Sequence, residues 1–120
     1  MIKSLLRTSL FFALLAGANG ALACDYPTRV EIPDGATADR ETMLNAQKDV
    51  KQFVSSMEEY LECIVNEENN ARAQMVDLAP EDEQQREDLL TKKYNAAVED
   101  MERIAAEFNT EVQAFRDRDQ

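Results

Sequence analysis

Histidine and tryptophan are absent from this chain of 120 residues, and glycine occurs at only three positions. Without histidine there is no imidazole to act as a general base, and a metal site that uses histidine ligands is excluded. Two glycines, Gly17 and Gly20, lie near the N-terminus, so Gly35 is the only one in the rest of the chain. A glycine-rich loop for phosphate is therefore also absent. The sequence predicts no cofactor, no metal site and no catalytic residue.

Residues 1–23 have the order of a secretory signal peptide. Two basic residues precede an apolar run at 10–16, and small residues end the segment at Ala23. The apolar run is shorter than the roughly 20 residues that a membrane-spanning helix needs. We therefore expect cleavage after Ala23, export to the periplasm or the medium, and no membrane span in the mature chain.

Basic residues are scarce, with 13 Lys and Arg against 24 Asp and Glu. Lys3 and Arg7 leave with the signal peptide, so the mature chain keeps 11 basic residues and a formal charge of −13. An acidic protein repels phosphate groups. We therefore expect it to bind neither nucleic acid nor an anionic membrane surface.

Residues 24–38 are predicted to be extended rather than helical. They contain two of the three prolines and the glycine at position 35. The run 32–35, Ile-Pro-Asp-Gly, predicts a tight turn in which proline fixes φ and Gly35 takes a positive φ. We call residues 24–38 the strap.

Two helices are predicted after the strap, over residues 39–79 and 80–118. Asp39 is the expected N-cap of the first, and Pro80 opens the second at a position where its missing N–H costs nothing. Apolar residues recur at gaps of three and four, which alternate strictly in the first helix and with one departure in the second; this spacing is typical of a coiled-coil seam. The first seam contains Met43, Ala46, Val50, Phe53, Met57, Tyr60 and Ile64, and the second contains Leu90, Tyr94, Ala97, Met101, Ile104, Phe108, Val112 and Phe115.

The two seams fall into register when the chain reverses just before Pro80. Met43 then lies opposite Phe115, and Ile64 lies opposite Tyr94. The predicted fold class is therefore all-α: an antiparallel two-helix hairpin, coiled-coil-like, with an extended N-terminal strap held by a disulfide.

Cys24 and Cys63 are the only cysteines, and an exported protein usually joins such a pair. An extended strap is long enough to run back from Asp39 along the first helix to residue 63. The alternative is a lipoprotein that is acylated on Cys24, which would leave Cys63 without a partner. A redox-active or metal-binding pair is a further alternative, although the spacing is not that of a CxxC motif.

The first helix has more apolar residues than one seam requires, and we expect the strap to cover part of the excess. The polar region around Pro80, at the turn of the hairpin, contains a few further apolar residues. Together these two sets form the candidate interaction surface, which consists of Leu44, Val54, Leu61, Val65, Met75, Val76 and Leu78.

Four short segments resemble a family of uncharacterised small exported proteins of Gram-negative bacteria. They are Cys-Asp-Tyr-Pro at 24–27, Ile-Pro-Asp-Gly at 32–35, Met-Leu-x-Ala-Gln at 43–47 and Tyr-Leu-Glu-Cys at 60–63. The resemblance implies a periplasmic setting and a plan in which both cysteines are shared. It implies no activity and transfers no functional residue.

A non-enzymatic, periplasmic interaction protein is the leading hypothesis, because a small hairpin with a wide apolar stripe is well buried in a dimeric four-helix bundle. A protein partner or a homodimer is therefore expected. The alternatives are an acidic chaperone or stress protein and a lipid-anchored envelope adaptor. An enzyme is a weaker hypothesis, because Glu58, Glu59 and Glu62 are expected on a solvated surface rather than in a cleft.

Overall fold

The computed structural model of the protein describes residues 23–120, and the predicted signal peptide, apart from Ala23, lies outside them. The described chain forms two α-helices, α1 (Arg40–Ala73) and α2 (Pro80–Asp117), which pack against each other as a hairpin. No strand occurs within this range. The prediction of an all-α hairpin preceded by an extended strap is confirmed.

Helix α1 begins where the sequence predicts. The Asp39 Oδ1 atom accepts a hydrogen bond of 2.7 Å from the backbone N–H of Thr42, which is otherwise unpaired at a helix start. This hydrogen bond holds the pKa of Asp39 below its ordinary value. Asp39 therefore acts as a true N-cap.

The end of α1 differs from the prediction, because the helix stops at Ala73 rather than at residue 79. Residues 74–79 form the connecting loop, which contains the positive φ of Asp77, at 55°. Ala79 is extended, with φ −63° and ψ 143°, as expected for a residue that precedes proline. Pro80 restricts only the residue immediately before it, so it does not by itself account for a loop of six residues. Helix α2 ends at Asp117, one residue before the predicted boundary.

The core lies along the seam between the helices. Of the predicted seam of α1, all residues except Tyr60 are buried, and Leu61 is buried in addition. On α2 the fully buried positions are fewer. The buried core consists of Met43, Ala46, Val50, Phe53, Met57, Leu61, Ile64, Ala97, Ile104 and Phe108.

The predicted register holds at the base of the hairpin, where Met43 and Phe115 line one shallow groove. Farther along, Ile64 shares a groove with Leu90, and Tyr94 lies at the edge beside Leu61. Tyr94 shares this edge groove with Leu61 and Val65, which lie on either side of Ile64 in sequence, so it is near the height that the register predicts. Neither α1 nor α2 has the length and apolar character to cross a membrane.

Candidate interaction surface

The predicted disulfide joins the strap to α1. Cys24 and Cys63 are bonded with a Cα–Cα distance of 5.8 Å and close a loop with a sequence separation of 39. In the chain-entropy model, a crosslink over a loop of this size contributes about 4 kcal/mol to stability. The strap is thus fixed at Cys63, in the second half of α1, as well as at Asp39, where it enters α1.

Both cysteine sulfurs are used in this bond. The Sγ atom of Cys24 also lies 3.3 Å from the Glu67 Oε2 atom, but a disulfide sulfur carries no proton and this contact is not a hydrogen bond. A sulfur bonded in this way has no valence left for a thioether to a lipid. The disulfide and the lipoprotein alternative for Cys24 therefore exclude each other.

Tyr26 connects the strap to both helices. Its ring packs edge-on against Tyr60 of α1, with centroids 4.9 Å apart, and its hydroxyl donates a hydrogen bond of 3.2 Å to Asp100 of α2. Partial desolvation, followed by the neighbouring carboxylate of Asp100, raises the pKa of the Tyr26 hydroxyl. Tyr60 is half-buried, and part of its ring is covered by this strap residue.

Farther toward the base, the strap runs beside α2. Arg29 donates two hydrogen bonds to the carboxylate of Glu107, at 3.0 and 3.2 Å. Both side chains are about half exposed, so the ion pair contributes little to stability. Arg118, at the end of α2, donates to the carbonyl oxygen of Ala38. These contacts place the strap parallel to α2.

The turn of the strap lies at residues 34–37, two residues later than predicted. The Asp34 carbonyl accepts from Thr37 N–H at 3.2 Å, and its side chain accepts from Ala36 N–H at 2.9 Å. Gly35 does not have the positive φ that we expected. The turn therefore does not need glycine for its backbone conformation.

Gly35 is needed because it packs directly on α2. Its N–H donates a hydrogen bond of 2.7 Å to the carboxylate of Glu111. A Cβ atom at this position would lie 1.8 Å from the backbone oxygen of Glu111 and 3.0 Å from the backbone N of Phe115. Only a residue without a side chain allows the strap to approach α2 this closely.

The strap covers one face of the hairpin. A groove between strap and α1 is lined by Phe53, Ser56 and Tyr60 on the helix side. Helical spacing places a different set of residues on the opposite face, which we call the open face. The open face consists of Leu44, Gln47, Lys51, Val54, Glu58, Leu61, Glu62 and Val65 on α1 and of Tyr94, Val98, Met101, Ala105, Phe108 and Val112 on α2.

Two shallow grooves on the open face show that the helices present these residues together. Leu61 and Val65 of α1 line one groove with Tyr94 of α2. Leu44 lines the other, at the base, with Phe108 and Val112, among other residues. The expectation that the strap covers the excess apolar residues of α1 is therefore wrong, because it lies on the other side.

The predicted surface residues of α1 differ in exposure. Leu44 is 48% exposed, Val54 and Val65 are half-buried, and Leu61 is only 8% exposed. Leu61 therefore belongs mainly to the hairpin core and reaches the open face only at its edge. The other half of this face comes from α2. The sequence predicts Tyr94, Met101, Phe108 and Val112 only as seam residues and predicts no interaction surface on α2.

Met75, Val76 and Leu78 do not join the open face. All three lie in the 74–79 loop, where Val76 is 85% exposed, Met75 is 38% exposed and Leu78 is half-buried. They form a separate apolar group at the turn of the hairpin. The predicted surface therefore consists of two separate surfaces, one along α1 and one at the turn of the hairpin.

An ion-pair network beside this loop was not predicted. Glu68 accepts from Arg72 Nε at 3.0 Å and from Arg86 Nε and Nη2 at 2.9 Å each. Arg72 also reaches Glu83. The hydrogen bonds from Arg86 are the main cause that lowers the pKa of Glu68. The i,i+4 spacing of Glu68 and Arg72 is the only sign of this network in the sequence.

Glu58, Glu59 and Glu62 are exposed on α1. Between residues 23 and 120, no group of three or more Cys, Asp or Glu side chains is arranged to hold a metal ion. The acidic side chains there are distributed along the helices rather than gathered in a cleft.

Comparisons with family models, curated proteins and solved structures give no match to this chain.

Proposed function

We propose that this chain is an exported, non-enzymatic helical hairpin of the periplasm that binds another protein or a second copy of itself through the open face. The observation that carries the proposal is the one-sided position of the strap. One face of the hairpin is covered by its own N-terminal segment. On the other face Leu44 and Tyr94 are exposed, and the apolar residues between them are half-buried or buried, with no segment of the described chain over them.

The composition of the open face supports this role. Nine of its fourteen members are apolar side chains larger than alanine, of which Leu61 and Phe108 belong mainly to the core, and its charged members are Lys51, Glu58 and Glu62. The rest of the mature chain is strongly acidic. Depletion of net charge within an apolar patch is typical of the central part of a protein–protein interface.

Export is supported by the disulfide and by the signal-like segment 1–23. A disulfide persists in an oxidising compartment such as the periplasm. The intact mass of the native protein, before and after reduction and alkylation, tests this part. We expect the mass of residues 24–120 less two hydrogens, and two alkyl groups added only after reduction. An acyl chain on Cys24 would contradict the proposal.

Site-specific photocrosslinking in the native envelope tests the interaction surface. A photoreactive amino acid at Val54 or Val98 is expected to give a discrete crosslinked product. The matched control is Asn45, which is exposed on α1 away from the open face. Equal products from Asn45, or none from the open face in a folded, exported protein, would refute the proposal.

A second candidate function, an acidic chaperone, is supported by the exposed apolar group in the loop 74–79. Val76 and Met75 extend from a hairpin that is otherwise acidic, a combination that suits basic, unfolding clients. Suppression of client aggregation at near-stoichiometric ratio, lost in a Met75→Ser and Val76→Ser double variant, is the expected result. No suppression with several clients would exclude this function.

A further inference from the structure

The open face has a two-fold pattern along each helix. On α1, a point just after Val54 is midway between Lys51 and Glu58, and also midway between Leu44 and Val65. A helix that meets an antiparallel copy of itself at this point places the basic residue opposite the acidic one. It also places one large aliphatic residue opposite another. The pattern is self-complementary in charge and in polarity.

The same pattern occurs on α2. Met101 is midway between Tyr94 and Phe108, and a point just after it is midway between Val98 and Ala105. An antiparallel copy of α2 therefore sets an aromatic residue opposite an aromatic one and a branched residue opposite a small one. Large-to-small and aromatic pairings of this kind are well suited to close packing.

The two midpoints lie at the same height in the hairpin. Arg86 of α2 donates a hydrogen bond of 2.9 Å to Glu68 of α1. Moving 14 residues from this pair toward the base of the hairpin leads to Val54 on α1 and to Asp100, the residue before Met101, on α2. One axis perpendicular to the helices can therefore relate both helices to their copies at once.

Within one chain, Lys51 and Glu58 do not form an ion pair with each other. They are seven residues apart on one helix, about 10 Å along its axis, which is too far for an ion pair. Neither forms an ion pair with any residue of the range 23–120. Their charges are available for a partner on the open face.

We propose that the partner of the open face is a second copy of this chain, docked about a two-fold axis perpendicular to the helices. Each α1 then packs antiparallel on α1 of the second copy, and each α2 on its counterpart. Lys51 of each copy lies opposite Glu58 of the other, so the contact is isologous and occurs twice. This inference rests on the proposed function, because it identifies the partner of the same surface.

The net charge of the mature chain determines the salt concentration at which the dimer should be measured. Two chains of charge −13 repel each other, but the Debye length at 0.15 M salt is only about 8 Å. Beyond that distance the repulsion is screened, whereas the Lys51–Glu58 contacts act at short range. The dimer is therefore to be measured at 0.15 M salt rather than at low salt.

Charge reversal with mixing tests the proposed pairing. The oligomeric state of the mature, disulfide-bonded chain is measured by sedimentation equilibrium, and we expect a dimer. Lys51→Glu and Glu58→Lys each place like charges opposite one another at two sites, and each raises the dimer Kd by about tenfold. An equimolar mixture of the two variants restores both pairs, so it forms a mixed dimer with near wild-type affinity.

Two matched variants control for net charge. Lys92→Glu and Glu99→Lys change the charge by the same amounts on exposed positions of α2, outside the open face. They are expected to leave the dimer Kd within about twofold of wild type. Circular dichroism confirms that every variant remains helical before its association is measured.

The outcomes separate this inference from the proposed function. A mixture that associates no more tightly than either single variant overturns the antiparallel pairing, and so does a strictly monomeric wild type. If the monomer still gives a crosslink from Val54 to a different protein, the proposed function stands and the homodimer fails. A crosslink from Val54 to the same segment of a second copy supports the two-fold dimer.

Discussion

Replacing Gly35 with alanine tests how closely the strap packs on α2. The added Cβ would lie 1.8 Å from the backbone oxygen of Glu111, which belongs to a helix and cannot move aside by itself. The turn at 34–37 has to lift away from α2, and the hydrogen bond from the residue 35 N–H to the Glu111 carboxylate is then lost.

The cost follows from three effects of different sign. Overpacking costs about 2 kcal/mol, and loss of a hydrogen bond to a charged acceptor costs about 2 kcal/mol more. Alanine offsets roughly 0.7 kcal/mol of this by restricting the unfolded chain. We expect Gly35→Ala to lower the free energy of unfolding by about 3 kcal/mol.

Urea unfolding of residues 24–120, with the disulfide formed, measures this difference. Glu111→Gln is the matched variant, because it keeps the packing and weakens only the hydrogen bond, at a cost of about 1 kcal/mol. Hydrogen exchange of the residue 35 amide reports whether the turn has opened locally. If Gly35→Ala left both the unfolding free energy and this exchange unchanged, the close contact between strap and α2 would be refuted.

Three further predictions concern the disulfide, the core and the ion-pair network. Replacing both Cys24 and Cys63 with serine should lower the free energy of unfolding by about 4 kcal/mol in the chain-entropy model, and an unchanged urea midpoint would contradict it. Met57→Ala, at a fully buried position, should cost about 3 kcal/mol, whereas Met75→Ala in the exposed loop should cost well under about 1 kcal/mol; equal costs would argue against the core as described. Because its folded-state pKa is lowered below the ordinary 4.5, Glu68 should stabilise the fold above that pH and lose this contribution as pH falls through the folded pKa. Glu68→Gln should therefore flatten the acid limb of a stability–pH profile, and an identical profile would rule this out.

The helices and the disulfide were predictable because their causes are local in sequence. The three-and-four spacing of apolar residues identifies the seam, Asp39 provides a side-chain cap, and Pro80 suits the first position of a helix. The pairing of Cys24 with Cys63 needed only two cysteines and a strap of sufficient length. None of these arguments requires knowledge of what lies beside a residue in space.

The end of α1 and the role of Gly35 were mispredicted for a common reason. Residues 74–79 have no strong helix breaker of their own, and the reversal there depends on how the two helices meet across the seam. Gly35 was predicted to be needed for a positive φ. It is needed instead because it packs against the backbone of Glu111, which lies far away in sequence. In both cases the deciding neighbour is not a sequence neighbour.

The number of helices, their antiparallel pairing and the Cys24–Cys63 disulfide follow from periodicity, capping and cysteine count, which can be read along the chain. Which face of the hairpin the strap covers, and therefore which apolar residues remain open, depends on packing in three dimensions. Phe53 and Val54 are adjacent in sequence, yet Phe53 lies toward the strap and Val54 on the open face. The physical reason is that a helix turns by about 100° per residue, so the side on which the strap packs, rather than hydrophobicity, separates covered residues from open ones.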